Sequence, residues 1–529
     1  MTARMGLAAV AAALSVVAFP SFAQKSGGIL KIEHMDTPPS ASIHEEATVS
    51  VAVPFMAVFN NLVMFDQHVA KNSFESIVPD LAESWKWSDD GKQLSFRLRR
   101  GVKWHDGKPF TSADVVCTFD LLLGGESESK LRRNPRAAWW SNVEKATAEG
   151  DFAATLHLKE RQPSLLALLA SGYTPIYPCH VPVADMRRKP VGTGPFKLVE
   201  FKMNEGIKLA RNADYWKKGR PYLDGIEYTI IPDRSTRMLA FTSGKFDMTF
   251  PTDVSVPLLK NVKRDAPSAQ CTMRFTGVAT NLIVNREKPP FDDEKIRRAM
   301  ALTLDRQAFN TILDEGQSKV SGAMLPPPAG VWGMPEEMVK GIPGYGDVDK
   351  AREQARELMK QAGYGPEKRM KLKVSTRNIA TFRDPAVILI DQLKHIYIDG
   401  ELEVIDTAIY YNRVFKKDYL VALNLTGSAV DDPDVTFFEG YACGSLRNLN
   451  NYCNPEMTRL FEAQSRELDV EKRLKMVWEI DRKLQEDIAR PIILNGMAAG
   501  CWQPHVKGVV IQSNSIYNGW RFEDVWLDK

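Results

Sequence analysis

No CxxC pair and no closely spaced histidine pair occurs anywhere in the chain, which removes the usual signs of a zinc site or a histidine-ligated nickel site. The eight histidines, His34, His44, His68, His105, His157, His180, His395 and His505, are scattered. HExxH and G-x-S-x-G are both missing, and no nucleophile stands beside a base in sequence, so no catalytic residue is assigned. Gly192-Thr193-Gly194-Pro195 lacks the lysine and Ser/Thr of a phosphate-binding loop and opens a strand, so it reads as a turn. No metal and no cofactor is expected. Charge of one sign is also lacking: 69 Lys+Arg against 66 Asp+Glu leaves +3, too little to predict nucleic acid or a membrane surface as partner. After the first 23 residues no apolar run approaches transmembrane length, so no membrane insertion of the mature chain is expected.

Those first residues read as an export leader. Arg4 supplies the positive start, Leu7 to Phe19 an apolar stretch too short to span a bilayer, and Pro20-Ser21-Phe22-Ala23 the small residues of a cleavage site. Cleavage after Ala23 removes one charge and leaves +2. The next residue is Gln24 and not cysteine, which points to an unlipidated periplasmic protein. Six cysteines, an even number, suit an oxidising compartment. Cys443 and Cys453 enclose the turn-rich GSLRNLNNY and are expected to be bridged, whereas Cys117, Cys179, Cys271 and Cys501 allow three pairings.

At 529 residues the chain exceeds one hydrophobic core, so two or three domains are expected. Gly28 to His34 alternates as a first strand, and Val49 to Met64 carries an apolar pattern that predicts a helix. Leu94, Phe96 and Leu98 give a period-2 face, and Thr111 with Asp114 gives a capping-box start. Trp104, Trp139, Trp140 and Trp216 read as structural, because large aromatics bury their area in cores more often than they stack on ligands. In the second half, helices are predicted to start at Asp292, Asp384-Pro385, Asn454-Pro455 and Asp469, with strands near Glu401 to Ile405 and Tyr419 to Leu425. In the stretch Leu420 to Asp434, LVALNLTGSAVDDPD, the alternation of Val421, Leu423 and Leu425 with Ala422, Asn424 and Thr426 predicts a buried strand that runs to Gly427 before an acidic turn, the plainer alternative being an ordinary turn with solvated carboxylates. Ligands in open α/β sheets bind beyond the carboxyl ends of strands, which marks Gly427, Ser428 and Asp431 as candidate binding residues.

From Leu81, LAESWKWSDDGKQLSFRLRRGVKWHDGKPFTSADVVCTFDLLL resembles the family 5 extracellular solute-binding proteins, the dipeptide, oligopeptide and nickel type. The resemblance recurs in order at VGTGPFKLVEF, RNADYWKKGRPYLDGIEY, SGKFDM and NREKPPFDDEKIRRAMALTLDR, covering nearly the whole mature chain. It implies an α/β, two-lobed periplasmic binding protein fold (type II) with an inserted domain. Residues 24–66, 190–277 and 502–529 would form lobe I, 67–189 the insertion, and 278–501 lobe III, with two crossings as a hinge. Pairing Cys117 with Cys179 and Cys271 with Cys501 would suit that layout.

The resemblance also implies site roles. In peptide-binding members a carboxylate after the late strand holds the ligand's ammonium. Counting four on from Gly427 places Asp431 there, and counting back from Pro433 places Ala429. Arg377, after the strand Lys371 to Ser375, resembles the arginine that holds a dipeptide's carboxylate, a role suited to its planar, permanently charged fork. Its alternative is a surface or interlobe salt bridge. Thr48 and Val49 occupy the region whose backbone meets extended peptides. Three functions compete. The first is a monomeric periplasmic protein that carries peptides to an inner-membrane ABC permease. The second is the same role for another solute, such as an oligosaccharide, opine-like conjugate, haem or nickel complex, and the third is a secreted hydrolase.

Overall fold

The chain builds three principal sheets, two of four strands and one of five. The computed structural model describes residues 24–125 and 130–529. The expected leader and its cleavage site at Ala23 lie outside the described residues. Among those described, no helix is long and apolar enough to cross a membrane.

The first sheet has four strands in the order Ile29–His34, Gly225–Ile230, Gly206–Arg211, Phe196–Lys202. Its strands come from distant parts of the chain, and only the first pair is parallel. The second, antiparallel, orders Ala82–Trp87, Gln93–Leu98, Ala153–Leu158 and Val143–Ala148. Leu94, Phe96 and Leu98 point inward from an otherwise exposed strand, the period-2 face of a sheet covered on one side. That side carries the helix Ser112–Leu123. Thr111 and Asp114 form a reciprocal capping box at its start, and Gly124, at φ 76°, ends it in the left-handed region. Trp104, Trp139 and Trp140 are buried in this core. A disulfide joins Cys117 of the helix to Cys179.

The third sheet orders Ile398–Ile405, Met370–Arg377, Val421–Gly427, Gln270–Val284 and Ile492–Trp502. The first three strands are parallel, and the helices Ala380–Leu393 and Thr407–Phe415 connect them. On the strand that lies inside the sheet, Val421, Ala422 and Leu423 are fully buried in succession, as expected where a strand is covered on both faces. The last two strands are long because they leave this sheet and continue into the neighbourhood of the first. Their pairing breaks register between Phe275 and Ala279, where Gly277 adopts φ 69°. A Cβ at Gly277 would meet the Asn514 carbonyl at 2.8 Å, so both conformation and space call for glycine there. Cys271 and Cys501, paired across these strands, are disulfide-bonded, as are Cys443 and Cys453.

Three sequence expectations need correction. The predicted helix Val49 to Met64 stops at Phe55, turns once as a 3-10 segment and gives way to the strand Val63–Phe65. The helix is buried on every side, so no 3.6-residue period marks where it ends. The helix cap is Asp293, whose side chain accepts the Lys295 N–H at 2.8 Å, and not the adjacent Asp292. The helix expected to start at Asp384-Pro385 begins earlier, at Ala380. Burial of Phe382, Ala386, Leu389 and Leu393 holds it although Ile379 provides no side-chain cap and Pro385 removes one N–H.

Candidate functional site: the interlobe cavity

A cavity of about 410 Å³ lies between the first and third sheets, flanking the two long strands. Met35, Thr48, Val49 and Tyr517 line it from one side, and Arg377, Phe382, Tyr411 and Leu425 from the other. Its volume falls within the roughly 300–1,000 Å³ of small-molecule sites, and its walls are mainly apolar with a few hydroxyls, including Thr48, Thr276 and Thr280. Thr48 caps the short helix Val49–Phe55 by accepting the Ser50 N–H at 3.2 Å.

Arg377, the last residue of its strand, projects across the gap. Its Nη2 donates to Asp36 Oδ2 at 2.6 Å, Nε to Thr407 Oγ1 at 3.1 Å and Nη1 to the Tyr411 hydroxyl at 3.3 Å. The guanidinium lies over the rings of Phe382 and Tyr411, 4.7 and 5.3 Å from their centroids. Asp36 also receives Ser50 Oγ at 2.6 Å, and the Thr407 hydroxyl donates to it. Burial by itself would raise the Asp36 carboxyl. Arg377, then His34 and the two hydroxyls, outweigh that and hold it below the ordinary carboxylate range. Asp36 and Ser50 belong to one side of the cavity and Arg377, Thr407 and Tyr411 to the other, so the cluster is a latch between them. Arg234 adds a looser bridge to the exposed Asp384 at 3.4 Å.

The other sequence candidates lie elsewhere. Asp431 sits outside this cavity. Its Oδ2 accepts the Val331 N–H at 3.1 Å, while Oδ1 is buried with no partner among the described residues. Burial, with Asp432 adding to it, pushes the Asp431 carboxyl up to about 7. Ala429, the alternative position, is buried, and its carbonyl accepts Ser515 Oγ at 3.0 Å and Asn518 Nδ2 at 2.8 Å. The turn folds this way because Asp432 and Asp434 are drawn inward by Arg473, which donates to Asp432 at 2.8 and 3.0 Å. Gly427 packs under Tyr517, and the Ser428 N–H donates to the Gly277 carbonyl at 3.0 Å. Both face a second, smaller cavity. Thr48, Val49 and Arg377 therefore share the main cavity, and Gly427, Ser428 and Asp431 do not line it.

Residues 76–447 match the family described as bacterial extracellular solute-binding proteins, family 5 Middle. The chain belongs to that family. The oligopeptide-binding protein AppA of Bacillus subtilis is 29% identical to this family 5 protein over 351 residues, 62% of this chain and 61% of that one. Heme-binding protein A of Haemophilus influenzae is 30% identical over 333 residues, 58% of this chain and 56% of that one. The aligned region thus spans under two thirds of each relative's length. The solved structure of the periplasmic binding protein DppA of Helicobacter pylori, in complex with peptide STSA, superposes with a TM-score of 0.82 at 23% identity. It covers 96% of this chain and 99% of that one, a likeness of fold: the α/β, two-lobed type II arrangement with an added domain.

The latch partners Asp36, Thr407 and Tyr411 escaped the sequence reading. Asp36 stands 341 residues from Arg377, and only the fold brings the two together.

Proposed function

We propose that this family 5 protein is the solute-binding component of an ABC importer, taking a short peptide into the interlobe cavity and delivering it to an inner-membrane permease. The observation that carries the reading is a mostly apolar cavity whose two walls belong to separate sheets joined by two long strands. Closure around a solute is a recognised use of that arrangement. Lobe I would comprise residues 24–66, 190–277 and 502–529, the inserted domain 67–189, and lobe III 278–501, each holding one of the three sheets. Periplasmic location, action as a monomer and absence of turnover complete the proposal. Thr48, Val49 and Arg377 are the proposed contacts, with Arg377 acting chiefly through the latch, since Asp36 already neutralises it.

A second reading, the same role for a non-peptide solute, draws support from the placement of Asp431 and Ala429. Asp314 and Asp384 are the acidic residues of the cavity wall, and Ser318 already donates to Asp314. Among the described residues, no carboxylate of the 427–434 turn lines the main cavity, where it could meet a ligand's ammonium. Native mass spectrometry of protein purified from periplasm without refolding separates the two. Retained short peptides are expected, and a sugar, opine or haem mass would overturn the peptide reading.

A further inference from the structure

On the long strand Gln270–Val284, Thr276, Val278 and Thr280 face the main cavity, while the alternate residues Gly277 and Ala279 face the second one. That smaller space, about 30 Å³, is bounded by Thr426, Ser428, Glu439, Arg447, Arg490 and Asn495. It is large enough for one or two water-sized groups. Arg447 pairs with Glu439, so their charges cancel. Arg490 is different. It is 4% exposed, its guanidinium lies over the Tyr441 ring 4.6 Å from the centroid, and its Nε and Nη1 have no hydrogen-bond partner among the described residues. Glu439 Oε2 is likewise a buried acceptor without a donor. A buried, unpaired cation and an unpaired acceptor each cost stability, and one bound group can satisfy both.

We propose that this cavity is an anion subsite: it takes a carboxylate neutralised by Arg490, on a molecule whose neighbouring hydroxyl or N–H donates to Glu439. The chemistry fits either one end of the transported solute or a free small carboxylate. Only the first of these sources rests on the function proposed above.

The test is thermal unfolding of the mature chain in sodium lactate, sodium propionate and sodium chloride at equal ionic strength. Lactate carries the carboxylate and the adjacent hydroxyl, propionate the carboxylate alone, and chloride neither. Wild type is expected to be stabilised most by lactate, less by propionate and not by chloride. Arg490→Met should lose the carboxylate response and melt at or above wild type in chloride, because an unpaired buried charge has been removed. Arg490→Lys should keep a weakened response. Wild type that does not distinguish lactate from chloride would overturn the proposal. So would a response retained in Arg490→Met, or an Arg490→Met protein that is less stable or fails to fold. Calorimetry with Ala-Glu and Ala-Gln then identifies the source. A preference for Ala-Glu of roughly tenfold to a hundredfold that vanishes in Arg490→Met assigns the subsite to the transported solute. A lactate response with no binding of either dipeptide keeps the subsite, makes the free anion its occupant and counts against the peptide reading.

Discussion

Asp36→Asn should open the molecule without unfolding it. Asp36 and Arg377 are 9% and 2% exposed and meet at 2.6 Å from opposite sides of the cavity. Removing one partner of such a pair strands the other charge in a dry environment, at a cost of about 3–5 kcal/mol. Because opening of the proposed hinge would separate the two residues, that cost should fall on the closed arrangement alone, where Arg377 cannot rehydrate. The closed-to-open ratio should therefore drop by roughly two to three and a half decades. Apparent solute affinity should fall with the closed fraction. Small-angle scattering would show a larger radius of gyration, and calorimetry with the co-purified solute a weaker Kd, while the melting temperature of the lobes stays near wild type. Asp36→Asn/Arg377→Met should recover much of the loss, since neither charge is then stranded. The Asp36 carboxyl is held below its ordinary value, so its contribution to closure is complete above the usual carboxylate range. It is lost as pH falls through the depressed value, and acid should open wild type but leave the double variant unmoved. Unchanged scattering and affinity in Asp36→Asn would refute the latch.

Gly427→Ala should also impair closure, because its Cβ would stand 2.2 Å from the Tyr517 hydroxyl across the interface; solute affinity measured by calorimetry is expected to fall at least about tenfold, with little change in melting temperature. For Asp431→Asn the expectation concerns stability, not binding. A folded-state carboxyl raised to about 7 favours the native state at low pH, and that advantage is lost as pH climbs from about 4 to 7, so the variant should gain more melting temperature at pH 8 than at pH 5. Replacing Cys443 and Cys453 together by serine should cost about 2–3 kcal/mol in chemical denaturation, given their separation of 10 residues. Arg473→Met should cost about 3–5 kcal/mol in the same assay by leaving Asp432 and Asp434 buried without their cation.

What could be read from the chain was what local chemistry determines. The alternation of Leu94, Phe96 and Leu98, the capping box at Thr111 and Asp114, and the caps at Asn454 and Asp469 all involve neighbours within a few residues, and each appears in the structure. Ala380 escaped notice as a helix start because tertiary burial, and no cap, sets it. The late strand was legible and so was its end at Gly427, but not the direction of the turn beyond it. Asp431, Asp432 and Asp434 look alike in sequence. Their different fates follow from Arg473 and Val331, contributed by segments 41 and 100 residues away. Arg377 was visible as a charged residue at a strand end, yet nothing near it in sequence revealed that Asp36 would occupy its fork.

The two long strands make the connection between the lobes a paired ribbon and not a pair of loose strings. Cys271 and Cys501 rivet the ribbon at one end, so its strands cannot slide past each other, and the break in register at Gly277 is its thinnest point. A ribbon fixed this way bends easily about one axis and resists twist and shear. The lobes should then swing like a door on a single pin: one angle describes the whole motion, and a single distance between labels on opposite lobes should be enough to follow it.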